Sequence, residues 1–198
     1  MTSIEYGPIH QSDDARIIQA LTLQDVEAGQ FPNPKRIANP DNFFKVRAQK
    51  QRLRANGENY LGAYIDGRLE AYMKTGSWRI ADQLPFSLFE EKELLEEQYA
   101  KGARELQPLK LGIFGLVVSN RLEAELQFDV ADHLLDVATD RAFEAGRVAV
   151  NIVFHDHDPI EPVAFANGFV ATNRVGGANG VHGVSKISQR LFTKPLDS

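Results

Sequence analysis

The segment that most restricts this chain runs from residue 109 to residue 154, where two apolar stretches bracket an amphipathic one. Residues 109–118 are almost wholly apolar and include the β-branched Ile113, Val117 and Val118, the pattern of a central strand buried on both faces. Within residues 130–146, Ala131, Leu134, Leu135, Ala138 and Ala142 fall on one helical stripe, and Gly146 stands where a helix usually stops. Residues 148–154 predict a second buried strand. Two such strands joined by a helix make a βαβ unit with a right-handed crossover, which sets the class as α/β.

The flanks add antiparallel pieces. Residues 4–9 predict a short strand, and Ser12, Asp13 and Asp14 supply a cap and first-turn acids ahead of Ile17, Ile18, Leu21 and Leu23. Asp41 caps a second expected helix, which carries Phe43, Phe44, Val46 and Leu53 and stops at Asn56 and Gly57; by position this broken helical region is a substrate-side lid. Alternation over residues 59–66, the pair Asp66-Gly67 and strand-like residues 69–78 predict a hairpin. Residues 79–108, with Pro85 and a helix over 90–106 that has few apolar positions, read as a helical insertion on the surface. A short helix over 159–167, a turn at Gly168 and Phe169, a glycine-rich loop over 176–183 and a final strand over 184–196 complete the order. That loop lacks the Lys-Ser/Thr pair of a phosphate loop and reads as a mobile hairpin.

Composition narrows the chemistry. At 198 residues the chain has the length of a single domain, 1–198, and it has no cysteine, which excludes a disulfide framework, a Cys-ligated metal and a thiol nucleophile. The apolar run over 111–118 is far short of the roughly 20 residues that cross a bilayer, and no basic-then-apolar leader precedes the fold, so a cytoplasmic protein away from membranes is expected. Lys and Arg number 22 against 27 Asp and Glu, and a net charge of −5 argues against nucleic acid as a partner. Cations gather at Lys35, Arg36, Lys45, Arg47, Lys50, Arg52 and Arg54, and acids at Glu90, Glu91, Glu93, Glu96 and Glu97. Each group reads as a solvated helix face, with an anionic ligand as the second reading of the basic one.

The order of elements resembles the GCN5-related N-acetyltransferase (GNAT) family across most of the chain. Residues 111–118 look like its central fourth strand, residues 130–146 like its acyl-CoA-binding helix, residues 148–154 like its fifth strand, and Asn167, Gly168 and Phe169 like its near-terminal Gly-Phe. Residues 191–196 look like its final strand. The resemblance implies a single-domain fold with a mixed central sheet, splayed fourth and fifth strands, and flanking helices. It also implies acetyl-CoA as co-substrate, with pantetheine amides bonded by Val117 and Val118 and the pyrophosphate at the following helix's N-terminus, a natural anion site. The implied reaction is direct acetyl transfer to a primary amine of a small molecule or peptide. Dimers are common in the family, so a homodimer is among the implied assemblies.

Registering the helix by Leu134 and Leu135 puts Leu126, Gln127, Phe128, Asp129, Val130 and Ala131 on the family's pyrophosphate motif, Gln/Arg-x-x-Gly-x-Gly/Ala. Leu126 replaces the Gln or Arg and Asp129 a glycine, so the motif is degenerate. A like charge about 5 Å from a phosphate at an effective dielectric near 20 costs on the order of 3 kcal/mol, roughly a hundredfold in affinity. The family's acid tyrosine falls on Ala164, beside Phe165, and the fourth strand offers no glutamate base. A catalytically inactive or CoA-independent binding module is therefore the alternative.

Other constellations remain open. His155, Asp156, His157 and Asp158 follow the fifth strand, and alternation puts the two histidines on one side. They are a polar strand end, a general base at His155, or a histidine pair for a metal; with no third ligand in sight, no metal site is assigned. Tyr60, Tyr64, Tyr72 and Trp78 lie on the hairpin as packing residues or as an aromatic pocket wall, with Tyr72 a candidate proton donor. His133 lies on the helix and reads as a surface or boundary residue.

Overall fold

Asp66 and Gly67 both take positive φ, 49° and 78°, the conformation that a tight two-residue hairpin turn needs. In this computed structural model they join β2 (Tyr60–Ile65) to β3 (Arg68–Ser77), and β1 (Ile4–Pro8) pairs antiparallel with β2, Tyr6 opposite Ala63. The structure describes residues 3–9, 60–155, 158–178 and 187–196. The helices expected between residues 12 and 56, the basic run within them and most of the glycine-rich loop lie outside the described residues.

After β3 come α1 (Ile80–Gln83), a 3-10 turn (Leu84–Phe86) and α2 (Phe89–Ala100). Then follow β4 (Leu111–Val118), α3 (Ala124–Glu144), β5 (Ala149–His155), α4 (Glu161–Ala166), β6 (Val170–Ala178) and β7 (Ile187–Pro195). The strands form one mixed sheet in the order β1-β2-β3-β4-β5-β7-β6, with β4 and β5 parallel. Among the described residues no helix is long and apolar enough to cross a membrane.

Close packing divides the chain into two units. Among the described residues the first contains β1, β2, β3 to Lys74, β4 from Gly115 and α3 to Leu134; the second contains the rest. The core of the first gathers Ile9, Tyr60, Leu69, Tyr72 and Val117, with Tyr64 packed against it. The core of the second gathers Trp78, Ile80, Phe86, Leu95, Leu106 and Leu191, and Trp78 Nε1 donates to Gln83 Oε1 at 2.9 Å, so the buried indole is satisfied.

Three expectations change. The helix of the insertion ends at Ala100, not at 106, because Gly102 turns the chain at a φ of 96° and the Ile80 amide draws Arg104 back by bonding its carbonyl at 3.1 Å. Helix α3 begins at Ala124, six positions before the expected 130, since Ala124, Glu125, Leu126 and Gln127 are good helix formers and Glu125 suits the positive end of the helix dipole. It ends as expected, with Gly146 at a φ of 63°. Strand β4 is not buried on both faces: Gly112, Ile113 and Val117 are buried, but Phe114 is 43% exposed and the others are half-buried.

Candidate functional site

The ladder between β4 and β5 covers Leu111↔Val150, Gly112↔Asn151 and Ile113↔Ile152. Beyond Ile113 no β4–β5 pair is made among the described residues, although β4 runs on to Val118 and β5 to His155. Backbone groups of a strand need partners, and among the described residues no β5 pair supplies them for residues 115–118. The strand is held from its other side, where the amide of the buried Ser119 donates to Glu70 carbonyl oxygen at 2.7 Å.

From Val118 the chain reaches a helix N-terminus within six residues. Leu122 N–H closes a turn on Ser119 carbonyl (3.3 Å), and the first bond of α3 runs from Gln127 N–H to Glu123 carbonyl (2.9 Å). The amides of Ala124, Glu125 and Leu126 therefore have no intrahelical acceptor and sit at the positive end of the helix. Gln127 Nε2 donates to Leu122 carbonyl at 2.7 Å, pinning the turn to the helix. The six residues registered on the pyrophosphate motif, Leu126 to Ala131, thus lie in the first two turns of α3 and not in a loop. Val130 and Ala131 face the core, Leu126 and Gln127 are half-buried, and Phe128 and Asp129 are exposed.

Tyr72 shares a buried cluster with Val117. A Cβ built on Gly115 would lie 3.8 Å from Tyr72 Cε2 and 4.0 Å from its hydroxyl oxygen, so the ring lies over the side-chain face of residue 115 in β4. A second tyrosine that sequence reasoning missed stands on β1. Tyr6 packs on the His133 ring, centroids 3.9 Å apart, and burial raises its phenol pKa, with the Asp129 carboxylate adding to the effect. A tyrosine on a five-residue strand carries no signal that would have marked it.

The other sequence candidates belong to the second unit. His155 closes β5 opposite Gln189 of β7, and Asp156 and His157 lie outside the described residues. Asp158 is raised to about 6, chiefly by burial; the Glu161 charge adds to this, while the Ile160 N–H bond to Oδ1 (3.0 Å) opposes it. Glu161 Oε1 pairs with Arg190 Nη1 at 3.3 Å. Ala164 is fully buried and carries no hydroxyl. No group of three or more His, Asp or Glu suited to a metal occurs among the described residues.

The fold finds its counterpart among solved structures. An N-acetyltransferase from Staphylococcus aureus is 10% identical over 98% of this chain and 99% of its own, with a TM-score of 0.66. A GNAT superfamily phosphinothricin acetyltransferase from Sinorhizobium meliloti, in complex with AcCoA, is 14% identical over 98% and 88%, with a TM-score of 0.64. This chain has the GNAT acetyltransferase fold. The ribosomal-protein-alanine N-acetyltransferase from Brucella melitensis extends the likeness, at 13% identity over 97% and 99% with a TM-score of 0.65. No protein-family model and no curated protein matches the sequence, so the likeness is one of structure.

Proposed function

We propose that the chain is an N-acyltransferase that moves an acetyl group from acetyl-CoA to a primary amine of a small molecule or peptide. One observation carries this reading: β4 loses its β5 partner after Ile113 and leads, from Val118, directly to the amide donors of the α3 N-terminus. The backbone at Val117 and Val118 then serves the pantetheine amides as a neighbouring strand would. The amides of Ala124, Glu125 and Leu126 receive the pyrophosphate, and Gln127 keeps them in place. Val130 and Ala131 seat the helix, while Phe128 and Asp129 border the phosphate end.

In the reaction the amine nitrogen bonds to the thioester carbon as the carbon–sulfur bond breaks. The Val118 amide is assigned the developing oxyanion and the Tyr72 hydroxyl the proton that the departing thiolate takes up, while the proton leaving the amine passes to solvent. With no cysteine in the chain, transfer is direct. Support for Tyr72 comes from its hydroxyl beside residue 115.

A CoA-independent binding module is the second reading, favoured by the exposed acids Glu123, Glu125 and Asp129 around the helix start. Calorimetric titration with acetyl-CoA separates the two. Micromolar binding that strengthens several-fold in Asp129→Asn supports the transferase, whereas no heat at millimolar ligand supports the module.

A further inference from the structure

We infer that Glu70 is a positioning residue for acetyl-CoA: the bulge it forms in β3, held by Arg68, fastens the turn that presents the α3 amides. The inference rests on the acetyl-transfer reading for the ligand, and on the following geometry for the rest. Ala63 of β2 stands opposite Ala71 and Tyr64 opposite Leu69, so Glu70 is an extra residue between them, a one-residue bulge in the ladder. The bulge resets the alternation of β3. Leu69 and Tyr72 are three positions apart, a spacing that sends side chains to opposite faces of a regular strand, yet both belong to the buried cluster with Val117. Glu70 is itself buried, and its Oε1 meets Arg68 Nε at 3.1 Å. Burying a carboxylate is costly unless it is paired, so the ion pair fixes where the bulge sits.

The bulge holds the far end of β4. Glu70 carbonyl oxygen accepts the amide of the buried Ser119 at 2.7 Å. Ser119 then closes the turn twice, its carbonyl accepting the Leu122 amide (3.3 Å) and its hydroxyl oxygen the Arg121 amide (3.4 Å). Leu122 carbonyl accepts Gln127 Nε2 at 2.7 Å, and the next bond, from Gln127 N–H to Glu123 carbonyl, is the first of α3. Arg68, Glu70, Ser119, Leu122 and Gln127 thus make one bonded line within the first packed unit. It runs from a bulge in β3 to the turn ahead of residues 124–126, whose amides have no intrahelical acceptor. A slip of the bulge by one residue turns the Glu70 carbonyl away and releases the line at Ser119.

The full chain is compared with Glu70→Ala, Glu70→Gln and Arg68→Met by amide hydrogen exchange without ligand, urea unfolding and calorimetric titration with acetyl-CoA. Glu70→Ala removes the cost of burying the acid together with its ion pair, so its urea midpoint should stay near that of the wild type. Its exchange at Ser119 and Leu122 should quicken by about tenfold, with the β1 and β2 amides unchanged, and Arg68→Met should reproduce this. Acetyl-CoA affinity should fall roughly fivefold in Glu70→Ala, the equivalent of one net hydrogen bond. Glu70→Gln, whose amide oxygen still accepts from Arg68 Nε, should match the wild type in exchange and affinity. Unchanged exchange at Ser119 and Leu122, quickening spread evenly over β1, β2 and β3, or an affinity that falls equally in Glu70→Gln or not at all in Glu70→Ala overturns the inference. A wild type that gives no heat at millimolar acetyl-CoA, while exchange responds as stated, leaves the line from Glu70 to Gln127 standing and overturns the transferase reading instead.

Discussion

The two halves of β4 are alike in composition and opposite in use. Residues 111–113 pair step by step with β5, and Gly112 is packed so closely that a Cβ would meet Phe114 and Trp78 at 2.8 Å. Residues 115–118 make no β5 pair among the described residues, and a Cβ on Gly115 would meet Tyr72 at an ordinary 3.8 Å. The clusters around them differ in the same sense. One is built on Trp78, Ile80, Phe86 and leucines, the other on tyrosines whose hydroxyl tips can do chemistry. One half of the strand is committed to packing and to β5, and the other keeps backbone groups that no β5 pair takes up among the described residues.

The sharpest break would come at Trp78. Trp78→Ala should cost about 3–5 kcal/mol in urea unfolding, with acetyl-CoA affinity unchanged in whatever remains folded. A comparable loss of affinity would show that the packing half also serves the ligand. Next, Gly112→Ala should cost about 1–3 kcal/mol through overpacking, whereas Gly115→Ala should stay within about 0.5 kcal/mol. Equal costs would erase the distinction between the halves.

Asp158 gives a pH test in the second unit. Its folded pKa is raised to about 6, so the native state binds more protons than the unfolded chain between about pH 4 and 6. This contribution to stability is complete below that window and is lost as pH rises through it, by roughly 1–3 kcal/mol. Asp158→Asn should flatten that fall in thermal melts taken from pH 4 to 7; an unchanged slope would assign it to other groups. The smallest effect belongs to Gln127→Ala, about 1 kcal/mol from the lost bond to Leu122. Its acetyl-CoA affinity should fall by more than its stability, because the turn it pins carries the amide donors.

Much of the fold was legible because its signals are periodic or steric. Val130, Ala131, Leu134, Leu135, Ala138 and Ala142 are all fully buried, as a helical stripe requires, and Asp66-Gly67 makes the hairpin turn that its residue types favour. The start of α3 was not legible, since Ala124, Glu125, Phe128 and Asp129 are exposed and extend the helix without extending the stripe. An apolar run cannot say which of its members stays uncovered, so Phe114 was hidden inside β4. Tyr6 was invisible for a different reason, because its partner His133 is more than a hundred residues away in sequence. Tyr72 was legible as a candidate, but its closeness to Gly115 follows only from the way the strands lie.

The central claim is that residues 115–118 and the start of α3 hold acetyl-CoA while residues 111–113 hold the sheet. Amide hydrogen exchange with and without saturating acetyl-CoA measures this directly. Slower exchange at residues 116–118 and 124–126, with residues 111–113 unchanged, is the predicted result. Unchanged exchange in both segments, or protection confined to residues outside them, would contradict it.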